Sequence, residues 1–264
     1  LTGCIPEIVG DDVADVVSKF SDAEKPVVFA PTAGFKGNNY KGHEQVVEAI
    51  VTQYLKKSDD KQKGLVNIWA DVPYQDLFWL GNIRELENLL TEIGLTPNTI
   101  FGYQRGIENI NKIPHAEFNL LVSPWVGLKN MKTMEKTLGI PYLHYPVLPV
   151  GATETGKFLR EVGKFANIDK EKVEAVIKKH EDYFYYLISR YADLFLENRV
   201  INKQFSVVAD AQYSLAITKF LVNDLGLVPA KQFVTDDTPK EYQEQIAAEF
   251  QNLNYGIKAD VSFE

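Results

Sequence analysis

Cys4 is the single cysteine in 264 residues. Gly3 and Pro6 flank it, so the sequence predicts a turn there rather than the middle of a helix or strand. Gly10-Asp11-Asp12 follows, then a helical pattern of Val13, Val16, Val17 and Phe20. Gly10 or Asp11 can cap that helix, and the two early carboxylates suit its positive end. A thiol in a loop just ahead of a helix can ionise readily or present a thiolate to a metal. The same residues also fit a half-buried structural cysteine, and a lone cysteine does not separate the two readings.

A second stretch, Pro31 to Gly42, carries Gly34, Gly37 and Gly42, three glycines in nine residues. That density allows positive φ and a close approach of the backbone to another group. It lies between an expected buried strand, Pro26–Ala30, and a helical pattern of Val46, Val47, Ile50, Val51, Tyr54 and Leu55. A strand-to-helix turn rich in glycine suits phosphate. The spacing, however, is neither Gly-x-Gly-x-x-Gly nor the Gly-Lys-Ser/Thr loop. His43, His115, His144 and His180 are scattered with no two at metal-ligand spacing, which argues against zinc. Asp236-Asp237 invites a metal or catalytic reading, but Asp-Asp-Thr-Pro is also an ordinary helix start, and capping is the reading adopted. Thr153 is read as an N-cap, with Thr153 or Glu154 as the alternative face toward a substrate.

The elements that must position these residues alternate. Strands are expected at Leu65–Trp69, Thr99–Phe101, Glu117–Val122 and Ile140–His144. Helices are expected around Ile83–Ile93, Leu128–Leu138 and Thr153–Phe165, with Gly94 stopping the first. Ala70 to Phe78 reads as a connection. Such alternation is the signature of parallel sheets covered by helices, so the fold class is α/β, Rossmann-like, with more than one domain. Ligands on such sheets gather at the carboxyl ends of strands, which places Gly34, Ala70, Ser123 and Tyr145 on one rim. A long helix, Asp169 to Glu197, carries Tyr183-Phe184-Tyr185-Tyr186, more aromatics than a lone helix can hide. It fits either packing between domains or a subunit contact. After it the alternation resumes, with strands near 205–209, 227–235 and 256–261 and helices near 212–225 and 239–253. The expected division is 1–25, a cysteine loop and helix ending a preceding domain; 26–167, a Rossmann-like domain; 168–203, a connecting helix; and 204–264, the first half of a further α/β domain.

Composition narrows the partners. The net charge is −8 and the pI about 5.2, a poor match to nucleic acid or an anionic membrane. No apolar run reaches the length of a membrane span. The chain opens in the cysteine loop with no basic start or apolar stretch, so no signal peptide is expected, and a single cysteine excludes an internal disulfide framework. The expectation is a cytoplasmic α/β protein, read as an internal fragment because it begins inside a motif.

Cys-Ile-Pro-Glu-Ile-Val-Gly-Asp-Asp resembles the cysteine loop of nitrogenase component 1 subunits and their relatives. The resemblance continues through Gly34-Phe35-Lys36-Gly37, Asn67-Ile68, the 89–95 stretch, Ser123-Pro124-Trp125 and the run from Gly139 to Thr155. Gly42-His43-Glu44 to Ala49 looks like the β-type subunit. The resemblance implies that Cys4 ligates an iron–sulfur cluster shared between two paired subunits, and that the Gly34 turn packs against it. It also implies an α-type partner subunit, an ATP-dependent iron protein as electron donor, and a substrate site on the partner. Thr32 stands where α-type chains place a second cluster cysteine. Gly34 is nearest to the serine ligand of some β-type chains. Ser123 stands about where an α-type cysteine holds the active-site metal cofactor, so no ligation is assigned there. The implied function is a subunit of a nitrogenase-like oxidoreductase, in the chemistry of nitrogen fixation or a related reduction. The alternatives are a scaffold for assembling a metal cofactor and an α/β small-ligand-binding module without redox work. One thiolate cannot supply the usual ligands of a cluster, so this stretch alone is not expected to hold one.

Overall fold

The computed structural model describes residues 4–192 and 203–264; the side chain of Cys4 also lies outside the described part. The chain divides into two compact units. The first is built from residues 1–87, 96–121 and 126–144, the second from 88–95, 122–125 and 145–264.

The first unit opens on two short helices, α1 (Cys4–Val9) and α2 (Val13–Ser18). The expected turn at Cys4 is therefore helical. Pro6 falls in the first turn of α1, where a missing N–H costs nothing because that donor has no partner in any helix. Asp12, rather than Gly10 or Asp11, caps α2: its side chain accepts the Asp15 N–H at 2.9 Å. Then comes α3 (Asn39–Ala49), capped by Asn38 and prolonged by a π turn, Ile50–Tyr54.

The expected strand Pro26–Ala30 joins no sheet. In its place the Gln53 side chain bonds both backbone groups of Phe29. The sheet consists of β1 (Leu65–Trp69), β2 (Thr96–Asn98), β3 (Phe118–Val122) and β4 (Tyr142–Tyr145) in the order β2-β1-β3-β4. The β1 pairings with β2 and β3 are parallel. Every residue of β1 and β3 is buried, as expected for strands covered on both faces. β2 lies three residues earlier than expected, which leaves Thr99-Ile100-Phe101 in the loop beyond its carboxyl end.

Register places Asn98, Asn67 and Asn119 side by side on three adjacent strands. Asn98 Nδ2 donates to Asn67 Oδ1 at 2.8 Å and Asn67 Nδ2 to Asn119 Oδ1 at 2.9 Å. Trp69 Nε1 adds a bond to Asn119 Oδ1 at 3.1 Å. Most of the row's polar groups are satisfied within it, which makes its burial tolerable, while Asn119 Nδ2 is left buried without a partner. Helices α4 (Trp79–Glu92), α5 (Ile107–Lys112) and α6 (Leu128–Leu138) complete the alternation. Gly94, at φ 99°, ends α4 as expected, with Leu95 N–H returning to the Leu90 carbonyl.

The second unit holds α7 (Gly151–Phe165), α8 (Lys170–Arg190), α9 (Ala211–Asn223) and α10 (Lys240–Gln251). Its two small parallel sheets pair β5 (Gln204–Phe205) with β7 (Val228–Pro229), and order β6 (Val208–Ala209), β8 (Gln232–Val234) and β9 (Val261–Phe263) as β6-β8-β9. Asp169 caps α8 as expected. The part of that expected helix falling in residues 193–202 lies outside the described residues. On α8, Phe184 packs edge-on against Phe220, while Tyr183, Tyr185 and Tyr186 are exposed. The parallel-sheet α/β class is as expected from the sequence.

Candidate functional site

The Gly34 stretch forms a short 3-10 turn, Gly34–Lys36, ahead of α3. Gly37 is extended (φ 176°), and the glycines with positive φ lie elsewhere. Its lack of a side chain serves close approach instead. A Cβ at Gly37 would fall 2.5 Å from Lys41 Cδ, where the lysine folds back to donate to the Lys36 carbonyl at 3.0 Å. Lys36 Nζ pairs with the Glu7 carboxylate, which ties α1 to this turn. The backbone of Cys4 opens α1 one turn before Glu7.

Beside the turn is a cavity of about 670 Å³ within the first unit. Gly34 and Thr32 line it, together with His43 of α3, the loop after β1 at Tyr74 and Gln75, and Phe101. None of its lining residues is Asp, Glu, Lys or Arg. Asn39 Nδ2 donates to Gln75 Oε1 at 2.7 Å, joining α3 to the loop that the sequence left as a connection. The His43 ring lies 5.0 Å from that of Phe101, and burial drives its pKa down to about 4, so the imidazole is neutral at pH 7. Neither ring nitrogen has a hydrogen-bond partner among the described residues. Tyr74 sits at φ 63°, a left-handed backbone unusual for an aromatic residue, and the residue is 92% exposed. A smaller pocket behind His43 is walled by Trp69, Ala70 and Asp71 at the carboxyl end of β1. Next to His43, Glu44 is spent on structure: it accepts the Gly127 N–H at 2.9 Å, and burial pushes its carboxyl above the ordinary range.

In the second unit the remaining candidates are bonded into the framework. Ser123 is buried, and its N–H donates to the Tyr145 carbonyl at 3.2 Å. Trp125 Nε1 donates to Asp236 Oδ2 at 2.8 Å, and the Trp125 ring stacks on Tyr242. Asp236 does not cap its own helix, whose N-cap is Pro239. Its Oδ1 instead accepts the Ala211 N–H at the start of α9 at 3.0 Å. Thr153 is no N-cap either, since Val150 holds that position; its N–H and hydroxyl both donate to Asp224 Oδ1. Glu154 is buried and accepts the Tyr145 hydroxyl at 2.6 Å. Burial and the Glu154 carboxylate push that hydroxyl far above the ordinary tyrosine range.

The structure thus brings α1, the Gly34 turn and His43 into one unit, and Gly34 does not sit at the end of a sheet strand. Sequence reading missed His43, Tyr74, Gln75 and Phe101 as a set. The available signal was the position of the 70–78 loop just past β1, where ligands gather on parallel sheets. Among the described residues no group of three or more His, Cys, Asp or Glu could hold a metal ion. These residues therefore do not by themselves fit an iron–sulfur cluster, which takes about four ligands.

The fold defines an α/β protein built on parallel sheets with covering helices. The family described as nitrogenase component 1 type oxidoreductase matches residues 1–264, and the chain belongs to it. It is 28% identical over 241 residues to the B subunit of the light-independent protochlorophyllide reductase of Angiopteris evecta, covering 85% of this chain and 46% of that protein. The corresponding protein of Chlorokybus atmophyticus is 28% identical over 240 residues, with the same coverage. The chain spans about half the length of the curated relatives it matches. A structure titled "Nitrogenase Cp1 at pH 6.5" superimposes with a TM-score of 0.73 at 19% identity, covering 99% of this chain and 58% of the other, a likeness of fold.

Proposed function

We propose that this chain is part of a subunit of a nitrogenase-like oxidoreductase. In this reading Cys4 supplies one thiolate to an iron–sulfur cluster at the interface with an α-type partner subunit. An ATP-dependent iron protein delivers the electrons, and the substrate site lies on the partner. The observation that carries the reading is the Cys4 to Asp12 stretch, inside a chain matched to the family over residues 1–264. The Glu7–Lys36 pair supports it, because it holds the helix that begins at Cys4 against the Gly34 turn. A thiolate suits the task because it is soft and stays bound through a redox change. The remaining ligands come from outside these residues, and the bound cluster would supply one-electron storage. This chain's own share is to place Cys4 and to cover the Gly34 side. Relatives named as protochlorophyllide reductase subunits favour a nitrogenase-like reductase over nitrogen fixation itself.

The test is iron and sulfide content of the full-length protein, purified without oxygen together with its partner subunit. Stoichiometric iron is expected in the wild type, falling to background in Cys4→Ala while the thermal melt persists. Unchanged iron in that variant overturns the assignment.

A further inference from the structure

We propose that the outer stripe of α8 is a contact through which two copies of this chain pair, helix against helix and antiparallel. The inference does not rest on the cluster reading. Three features of the helix carry it.

The first is a second face. Of the residues of α8, Val173 and Ile177 are buried. With Phe184, packed edge-on against Phe220, and half-buried Ile188, they make an inner stripe at helical spacing. Tyr183, Tyr186, Leu187 and Arg190 follow i, i+3, i+4, i+7 spacing on the other side of the helix, and all four are exposed. The inner stripe already holds α8 in its own unit. Anchors at that second spacing are how a helix meets another helix or a groove.

The second is charge. Glu92, at the end of α4, pairs with Lys179 at 3.0 Å and with His180 at 3.1 Å, and so covers one flank of the helix as far as His180. Lys178 pairs with Asp182 at 3.0 Å, and Glu181 lies beside Gly156 on the inner side. The stripe begins where these pairs stop, and it carries no carboxylate. Its one charge is Arg190, whose guanidinium lies 4.7 Å from the centre of the Tyr186 ring and donates to its hydroxyl at 2.8 Å. Among the described residues it has no carboxylate partner. Tyrosine and arginine, with acids and lysine kept to the edge, make up the centres of protein contacts.

The third is self-complementarity, which selects a second copy as the occupant. In an antiparallel pair, a two-fold axis between Tyr186 and Leu187 sets each Tyr186 against the other copy's Leu187. The same axis sets each Tyr183 against the other copy's Arg190. The guanidinium then meets a second aromatic face, with Asp182 of that copy one residue away. A parallel pair would instead bring the two Arg190 charges together.

The test uses the full-length protein together with its partner subunit. Native mass spectrometry and sedimentation should find two copies of this chain per particle. Tyr183→Glu with Leu187→Glu should weaken that pairing at least about hundredfold, and the milder Arg190→Ala about tenfold. All variants should keep the wild-type circular dichroism and iron content. Tyr186→Cys, beside the axis, should link two copies by a disulfide under mild oxidation. Ala175→Cys, exposed on the same side about three turns earlier, should not. The proposal is overturned by one copy per particle in the wild type, by a folded double variant that still pairs, or by Tyr186→Cys that stays reduced or links to the partner subunit. Linkage through Ala175→Cys would overturn the antiparallel order. Pairing lost with iron intact would separate this contact from the Cys4 site; iron lost in Cys4→Ala with pairing intact would leave the contact standing.

Discussion

Gln53 takes the place of a β-strand for Phe29. The Phe29 N–H donates to Gln53 Oε1 at 2.9 Å, and Gln53 Nε2 donates to the Phe29 carbonyl at 2.8 Å. One side chain thus supplies the two bonds that a neighbouring strand residue would make, and it fixes the segment leading into the Gly34 turn. Gln53→Ala should cost about 1 kcal/mol in urea unfolding. It should also speed hydrogen exchange at the Phe29 amide, with the core strand β1 still protected. Unchanged protection at Phe29 would show that the pairing has no weight in solution.

The Gln53 bonds also show where the sequence stops being informative. Pro26–Ala30 is apolar and β-branched, as a strand should be, and nothing local announces that its partner is an amide 24 residues later. Leu65–Trp69 lies where the sequence put it, because burial on both faces leaves only one pattern for it. Thr99-Ile100-Phe101 has the same look but lies in a loop, where Phe101 packs on His43. The family and its parallel-sheet α/β fold were legible; the cavity was not. Its wall joins α3 to the 70–78 loop across more than thirty residues of sequence, and the Asn39–Gln75 contact is set by packing that no periodicity encodes.

Acid should weaken the first unit through His43. Its folded pKa, about 4, lies below the ordinary value of 6.5 for the unfolded chain. Between those values the unfolded state binds the extra proton, so stability from this group is present above pH 6.5 and is lost as pH falls toward 4. At about 1.4 kcal/mol per pH unit, the loss is at most on the order of 3 kcal/mol. Urea melts at pH 7 and pH 4.5 should therefore differ less in His43→Leu than in the wild type. Equal differences in the two proteins would remove His43 as the cause.

The Tyr145 hydroxyl and the Glu154 carboxylate, 2.6 Å apart and buried, should behave as one unit. Glu154 Oε2 has no hydrogen bond, with Lys157 Nζ the nearest cation at 3.6 Å. Tyr145→Phe removes the one hydroxyl donated to a buried anion and should cost about 2 kcal/mol. Glu154→Leu alone strands the hydroxyl at a similar cost. The double variant should lose clearly less than the sum, with a coupling above about 1 kcal/mol. Additive losses would mean that the hydroxyl is satisfied in some other way.

Tyr74 allows strain to be separated from side-chain contact. At φ 63° a Cβ crowds the following carbonyl, and the residue, 92% exposed, recovers little by packing beyond the ring's tilted contact with Trp79. Tyr74→Ala and Tyr74→Gly both delete the ring, but only the glycine relieves the backbone. Glycine is normally the less stable of the two by about 0.5–1 kcal/mol; here it should be the more stable by about 1 kcal/mol in urea melts. Alanine at or above glycine would show that the backbone at Tyr74 relaxes in solution, and the strain would no longer need a functional reason.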